Sequence, residues 1–245
     1  MILNIENNSH KVIIDDFTDE NIEIIVGENS SLILYTTGKV GEQGRTTVGE
    51  QGRTTKRNFN ISLKRNSIFK HFNILMNTLD ISTRIHLIFE AEGAECELNG
   101  CVVADGKHRI ENHTLIEHRA GHCTSNELYK YVLSDEAVGV FEGRVLVHPN
   151  AQKTVSHETN QNLCTTKECR MFTKPELEIY ADDVKCSHGS SVGQLNDAAL
   201  FYMQQRGIPL AQGRKLLQDA FIAEVLEKIP NSSFSSSSNS RNSRS

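Results

Sequence analysis

The sequence predicts an all-β body closed by a small subdomain of two helices. Three observations carry this. Apolar and polar residues alternate along short runs from the N-terminus to about residue 193, the period of a half-buried strand. Turn-forming residues punctuate those runs, with no long helical pattern between them. Near residue 195 the period changes to that of a helix.

The clearest strand is Leu79–Ala91, where Ile81, Thr83, Ile85, Leu87 and Phe89 alternate with Asp80, Ser82, Arg84, His86 and Ile88. Weaker copies are Ile22/Ile24/Val26, Leu32/Leu34, Val145/Val147 and Leu177/Ile179/Ala181. Turns are expected at Asn99-Gly100, Asp105-Gly106, Glu142-Gly143 and His148-Pro149-Asn150. Many short strands of this kind build a sandwich, a barrel or a β-helix, and periodicity alone does not choose among the three. Residues 40–55 repeat the octapeptide VGEQGRTT in tandem. Its glycines and polar residues cannot fill a core, so a surface loop or solvated hairpin is expected. A phosphate cradle would need a following helix and a Lys-Ser/Thr signature, and neither is present.

Asn196 and Asp197 can cap a helix through AALFYMQQR, and Gly207 stops it. Pro209 stands where a second helix begins. Leu217, Phe221 and Val225 recur every four residues, flanked by Leu216, Ala220 and Ile229, giving an amphipathic helix to about Lys228 that Pro230 ends. Residues 231–245, rich in serine, read as a disordered tail. The expected organisation is a β body over 1–195, a helical subdomain over 196–230 and the tail over 231–245.

Of 245 residues, 38% are hydrophobic and 23% charged, enough apolar mass for a sizeable core. The formal net charge of −5 gives no electrostatic footprint for nucleic acid or an anionic membrane. No apolar run is long enough for a spanning helix, and MILNIENNSHK lacks the pattern of a secretory signal, so a cytoplasmic protein is expected. Six cysteines in such a chain do not make a disulfide scaffold, so reduced thiols are expected.

Three segments invite a chemical reading. HRIENHTLIEHRAGHC (108–123) places His118 and His122 four apart, but no HExxH arrangement exists, and packing histidines outrank a zinc site. Cys164 and Cys169, in CTTKEC, have no second pair and read as two thiols on or near one loop. No GxSxG, Walker or GxGxxG motif supports a hydrolase, a kinase or a nucleotide-binding enzyme. The sharpest segment is 176–207, where a strand is expected to end in Cys186-Ser187-His188-Gly189 and a small-residue turn to lead into the helix. A thiol and an imidazole two apart on a strand share one face, so Cys186 and His188 can jointly present metal ligands. A buried cysteine beside a polar histidine explains the same pattern without chemistry.

DVKCSHGSSVGQL, followed by LFYMQQRGIP and AF-x-AEVLEKI, resembles the C-terminal signature of the SufB/SufD family of iron–sulfur cluster assembly proteins. IENHTLIEHRAGHCTSNELYKYVLSDEAVGVFEGRVLVHPNAQKTVSHETNQNLC is similar to that family as well. Together the likeness covers roughly residues 75–230. It points to the SufD branch: SufB-like sequences carry His-Glu where this chain has His188-Gly189, and a strand cysteine not evident here. The resemblance implies a right-handed parallel β-helix with a small C-terminal two-helix subdomain. Family members are longer at the N-terminus, so the chain is expected to be shortened there, and residues 1–75 match less well.

The resemblance also implies a non-catalytic scaffold subunit working with SufB and the ATPase SufC, to which ATP hydrolysis would belong. The C-terminal helices, through Phe201, Arg206, Leu217, Phe221 and Val225, would dock SufC. The last strands would pair with SufB or a second copy. His188, and second to it Cys186, would meet iron or a nascent Fe–S cluster, held transiently and shared with SufB, with no tightly bound cofactor. Two other readings stay open. One is a shortened or accessory relative with little activity of its own. The other is a carbohydrate-active β-helix protein, which needs paired carboxylates on one face of adjacent rungs. Asp182-Asp183 is the acidic pair near the candidate site, and strand neighbours point to opposite faces.

Overall fold

A computed structural model describes residues 1–15, 19–37, 54–76 and 80–230. Its strands are β1 (Ile2–Ile5), β2 (His10–Asp15), β3 (Asn21–Val26), β4 (Ser31–Thr37), β5 (Thr55–Leu63), β6 (Ile68–Met76), β7 (Ile81–Phe89), β8 (Glu95–Ala104), β9 (Arg109–His118), β10 (Thr124–Leu133), β11 (Val138–Val147), β12 (Val155–Cys164), β13 (Arg170–Ile179) and β14 (Lys185–Gly193). Helices α1 (Asp197–Gln205) and α2 (Leu210–Leu226) follow. Odd-numbered strands form one seven-stranded sheet, here sheet A, and even-numbered strands a second, sheet B. Every neighbouring pair within each sheet is parallel, so the chain coils as a parallel β-solenoid, which selects the β-helix among the three all-β options.

Stacking explains the stability of this coil. Each rung buries its inner face only against its neighbours, so residues in one register form a column. Ile24, Ile61, Leu87, Ile116 and Val145 stack in sheet A, all buried. Val26, Leu63, Phe89, His118 and Val147 stack beside them. The column weakens at the C-terminal end, where Leu177 is half-buried and Ile179 exposed because no further strand among the described residues covers β13.

Corners close where Asp105-Gly106 and His148-Pro149-Asn150 were expected, with Gly106 at a φ of 59°. Two other expected turns are strand interiors. Asn99-Gly100 lies inside β8, where a Cβ on Gly100 would run into the Tyr129 ring. Glu142-Gly143 lies inside β11, where a Cβ on Gly143 would stand 2.5 Å from Glu158 Oε1. Both glycines make room for a large side chain across the core rather than reversing the chain.

The helices begin as the caps predict. The Asn196 side chain accepts from the Ala199 amide at 3.0 Å, and Gly207 ends the first helical segment with a φ of 82°. Ile222 and Val225 of α2 bury themselves with Cys101, Leu128, Val132 and Leu163 on the outside of sheet B, making a second small core. The octapeptide repeat lies outside the described residues except Thr54 and Thr55, the latter opening β5. The serine-rich segment 231–245 also lies outside them.

Candidate functional site

The solenoid ends on an open rung. β13 pairs only with β11, and β14 only with β12, so among the described residues each leaves one strand edge unpaired. β14 does not stop at Gly189 as its small residues suggested. Pairing with β12 carries it on to Gly193, with Gln161 opposite Ser191 and Leu163 opposite Gly193. Phe172, Tyr180 and Val192 are exposed along this end.

Cys186 and His188 lie on β14 and share its inner face, as their spacing requires. Cys186 is half-buried against the core, and burial pushes its thiol up. Among the described residues His188 has no rung beyond it, and it is exposed. Between them Ser187 points outward and meets His157 Nδ1 at 2.7 Å. These two side chains are the ones that the sequence spacing and the fold bring together.

Behind them stand residues that the sequence reading missed. In register, His188 follows Glu158 on β12, which follows Glu127 on β10 and Leu98 on β8. Glu127 and Glu158 are only 3% and 2% exposed; the Glu158 carboxyl has no hydrogen-bond partner among the described residues, and the Glu127 carboxyl takes the Thr114 hydroxyl. Burial pushes both carboxyls up, Glu158 to about 7, and the Glu158 charge raises Glu127 further. The signal that finds them is the rung length: Ser125 and Ser156, hydrogen-bonded at 2.8 Å, are 31 residues apart, and Glu127 and Glu158 share that offset. Scanning for acids as neighbours could not reveal it. Paired carboxylates on adjacent rungs therefore exist, but inside the coil, out of reach of an oligosaccharide. Asp182 and Asp183 are exposed in a corner, Asp183 ion-paired with Lys153.

The histidine-rich stretch separates into structural roles. His118 stacks on Phe89 at 4.2 Å between ring centroids and meets Ser125 Oγ at 2.9 Å. Burial lowers its pKa to about 3, so it stays neutral. His113 faces outward to Glu142 at 2.8 Å, and His122 turns a corner with a φ of 56°. Cys123 is buried, its thiol donating to the Ala91 and Gly121 carbonyls. Cys164 and Cys169 flank one loop, and burial with the neighbouring Cys169 thiol pushes Cys164 up to about 12. Among the described residues no three or more His, Cys, Asp or Glu side chains form a group able to hold a metal ion. Cys186 and His188 are therefore at most half of a tetrahedral site, and a cluster there needs ligands from elsewhere.

The helical residues divide by burial. Phe201 is 62% exposed, Tyr202 stands beside it, and the Arg206 guanidinium lies 4.7 Å from the Tyr202 ring centroid. Leu216 is exposed, whereas Leu217 and Phe221 are half-buried. Val225 is wholly buried on sheet B, so it holds α2 in place and offers no surface to a partner. No helix among the described residues is long and apolar enough to cross a membrane.

The chain is a parallel β-solenoid with an unpaired final rung, a histidine and a cysteine on that rung, and a helical pair on one wall. The family described as "SUF system FeS cluster assembly, SufBD core domain" matches residues 2–221, and the chain belongs to it. It is SufD-like: it is 38% identical over 138 residues to the iron–sulfur cluster assembly protein SufD of Escherichia coli (strain K12), covering 56% of this chain and 33% of that protein. An iron–sulfur cluster assembly SufBD family protein of Synechocystis is 38% identical over 141 residues, 58% of this chain and 31% of its own. One from Mycobacterium leprae is 33% identical over 175 residues, 68% of this chain and 45% of its own. The chain thus spans from 31% to 45% of the length of these relatives.

Proposed function

We propose that the chain acts as a SufD-like scaffold subunit in cytoplasmic iron–sulfur cluster assembly, with SufB and the ATPase SufC as partners. The observation that carries this reading is the open final rung with His188 on it, in a chain of the SufBD family. An unpaired parallel edge is completed by β-strand addition from a partner, which gives both affinity and register. Pairing along β14 sets the partner's strand about 4.8 Å away, close enough for its side chains to join His188 and Cys186 around one cluster. The nascent cluster is cargo. The exposed imidazole supplies a nitrogen ligand, and the half-buried Cys186 thiol is the second donor. SufC docks on the exposed flank of the helices, at Phe201, Arg206 and the outer edges of Leu217 and Phe221.

The test is co-expression with SufB and SufC from the same source, followed by size-exclusion chromatography with mass determination. A co-eluting complex that survives His188→Ala but loses cluster formation is expected. A chain that elutes alone or only as a homodimer overturns the heteromeric role.

A further inference from the structure

Across the core from Glu127 and Glu158, sheet A presents the register row Ile85, Thr114, Gly143 and Pro175, which carries no charge. The Thr114 hydroxyl lies beside Glu127, and the Gly143 backbone stands against the Glu158 carboxyl. Tyr129 follows Glu127 by two residues on the same face and lies within reach of its charge. Tyr129 OH and both Glu158 carboxyl oxygens are buried without hydrogen-bond partners among the described residues, while the Glu127 carboxyl takes the Thr114 hydroxyl. Six buried oxygens gathered on adjacent rungs with so few partners are not a packing accident, because each lone buried polar group is costly. Two ionised carboxylates on neighbouring rungs, about 4.8 Å apart along the sheet, repel each other.

We propose that Glu127, Glu158, Thr114 and Tyr129 form an oxygen-lined site for one divalent cation inside the solenoid. A doubly charged ion cancels both carboxylate charges and takes the hydroxyl oxygens as neutral ligands. An all-oxygen donor set selects ions of the magnesium and manganese class over zinc or copper. Gly143 is the position that leaves room, since any side chain there would strike the Glu158 carboxyl. Polar side chains continue from the pair to the open end: Asn160 accepts from Thr173 at 2.9 Å, and Thr173 meets Ser190 on the final rung at 2.8 Å. His188 follows Glu158 in register but is not among the four proposed ligands, and the site is tested without any partner, so its failure says nothing about scaffold assembly.

The experiment is equilibrium dialysis of the full chain against Mn²⁺, with free Mn²⁺ read by electron paramagnetic resonance. One bound equivalent per chain is expected. Glu127→Gln and Glu158→Gln should each weaken it about tenfold or more, as loss of a ligand does. Thr114→Val should weaken it less, and Glu168→Gln, an exposed acid on a nearby loop, should leave it unchanged. A wild-type chain that binds no Mn²⁺ overturns the proposal, whatever the variants do. Binding that survives both Gln variants, or that only His188→Ala removes, overturns it as well.

Discussion

Lys130 holds helix α2 to the solenoid through Phe221. Its ammonium stands 4.8 Å from the Phe221 ring centroid, donates to the Phe221 carbonyl at 3.0 Å and pairs with Glu224 at 2.6 Å. Only 6% of the lysine side chain is exposed. A ring face, a carbonyl and a carboxylate all receive this buried ammonium. The residue sits on the outer face of β10 between Leu128 and Val132, so it joins the second core while answering the helix backbone.

Lys130→Met keeps the apolar stem and removes the charge. It should destabilise docking of α2 by about 2 kcal/mol, the scale of a hydrogen bond to a charged group. Limited proteolysis near residues 206–210 should accelerate while the strand signal in circular dichroism is retained. Unchanged proteolysis would show that the apolar contacts of Ile222 and Val225 suffice.

The helical face separates surface from packing. Phe201→Asp or Leu216→Asp should leave thermal stability within about 0.5 kcal/mol, because both side chains already stand in water, and should weaken co-elution with SufC. Val225→Asp should instead cost several kcal/mol by burying an unpaired carboxylate. Melting curves and pull-down of the same three variants distinguish the roles, and a Phe201→Asp chain that melts early would contradict the assignment.

Gly100→Ala tests the corrected turn. An added methyl inside β8 meets the fully buried Tyr129 ring, so overpacking of about 1–3 kcal/mol is expected. In a flexible turn the same change would be nearly neutral. Urea midpoints of the two proteins decide it.

His118 makes stability fall in acid. Its folded pKa of about 3 lies below the unfolded value of 6.5, so its contribution is complete above pH 6.5 and declines as pH falls through that window. The unfolded chain takes up a proton that the folded chain refuses, a slope of about 1.4 kcal/mol per pH unit. His118→Gln should lose correspondingly less stability than wild type between pH 6.5 and 5 in urea titrations. Parallel curves for the two proteins would refute the neutral, buried imidazole. His71, also lowered to about 3 by burial, contributes a second slope that this variant leaves untouched.

The alternation in Ile81–Phe89, the Asn196 cap and the Gly207 stop were legible because each rests on local geometry: a side chain's face follows from its neighbours two or four residues away. Cys186 and His188 were legible for the same reason. Glu127 and Glu158 were not, because what unites them is one turn of the coil, a spacing that no strand or helix period contains. Gly100 and Gly143 read as turns because glycine beside Asn or Glu is ambiguous until the partner across the core is known. By itself the sequence determined that the body is built of strands and closed by two helices, and that Cys186 and His188 share one strand face. The tertiary structure alone decided which strand is left unpaired, which acids meet inside, and that Val225 faces the sheet while Phe201 faces water. Those depend on stacking between rungs, and stacking joins residues distant in the chain.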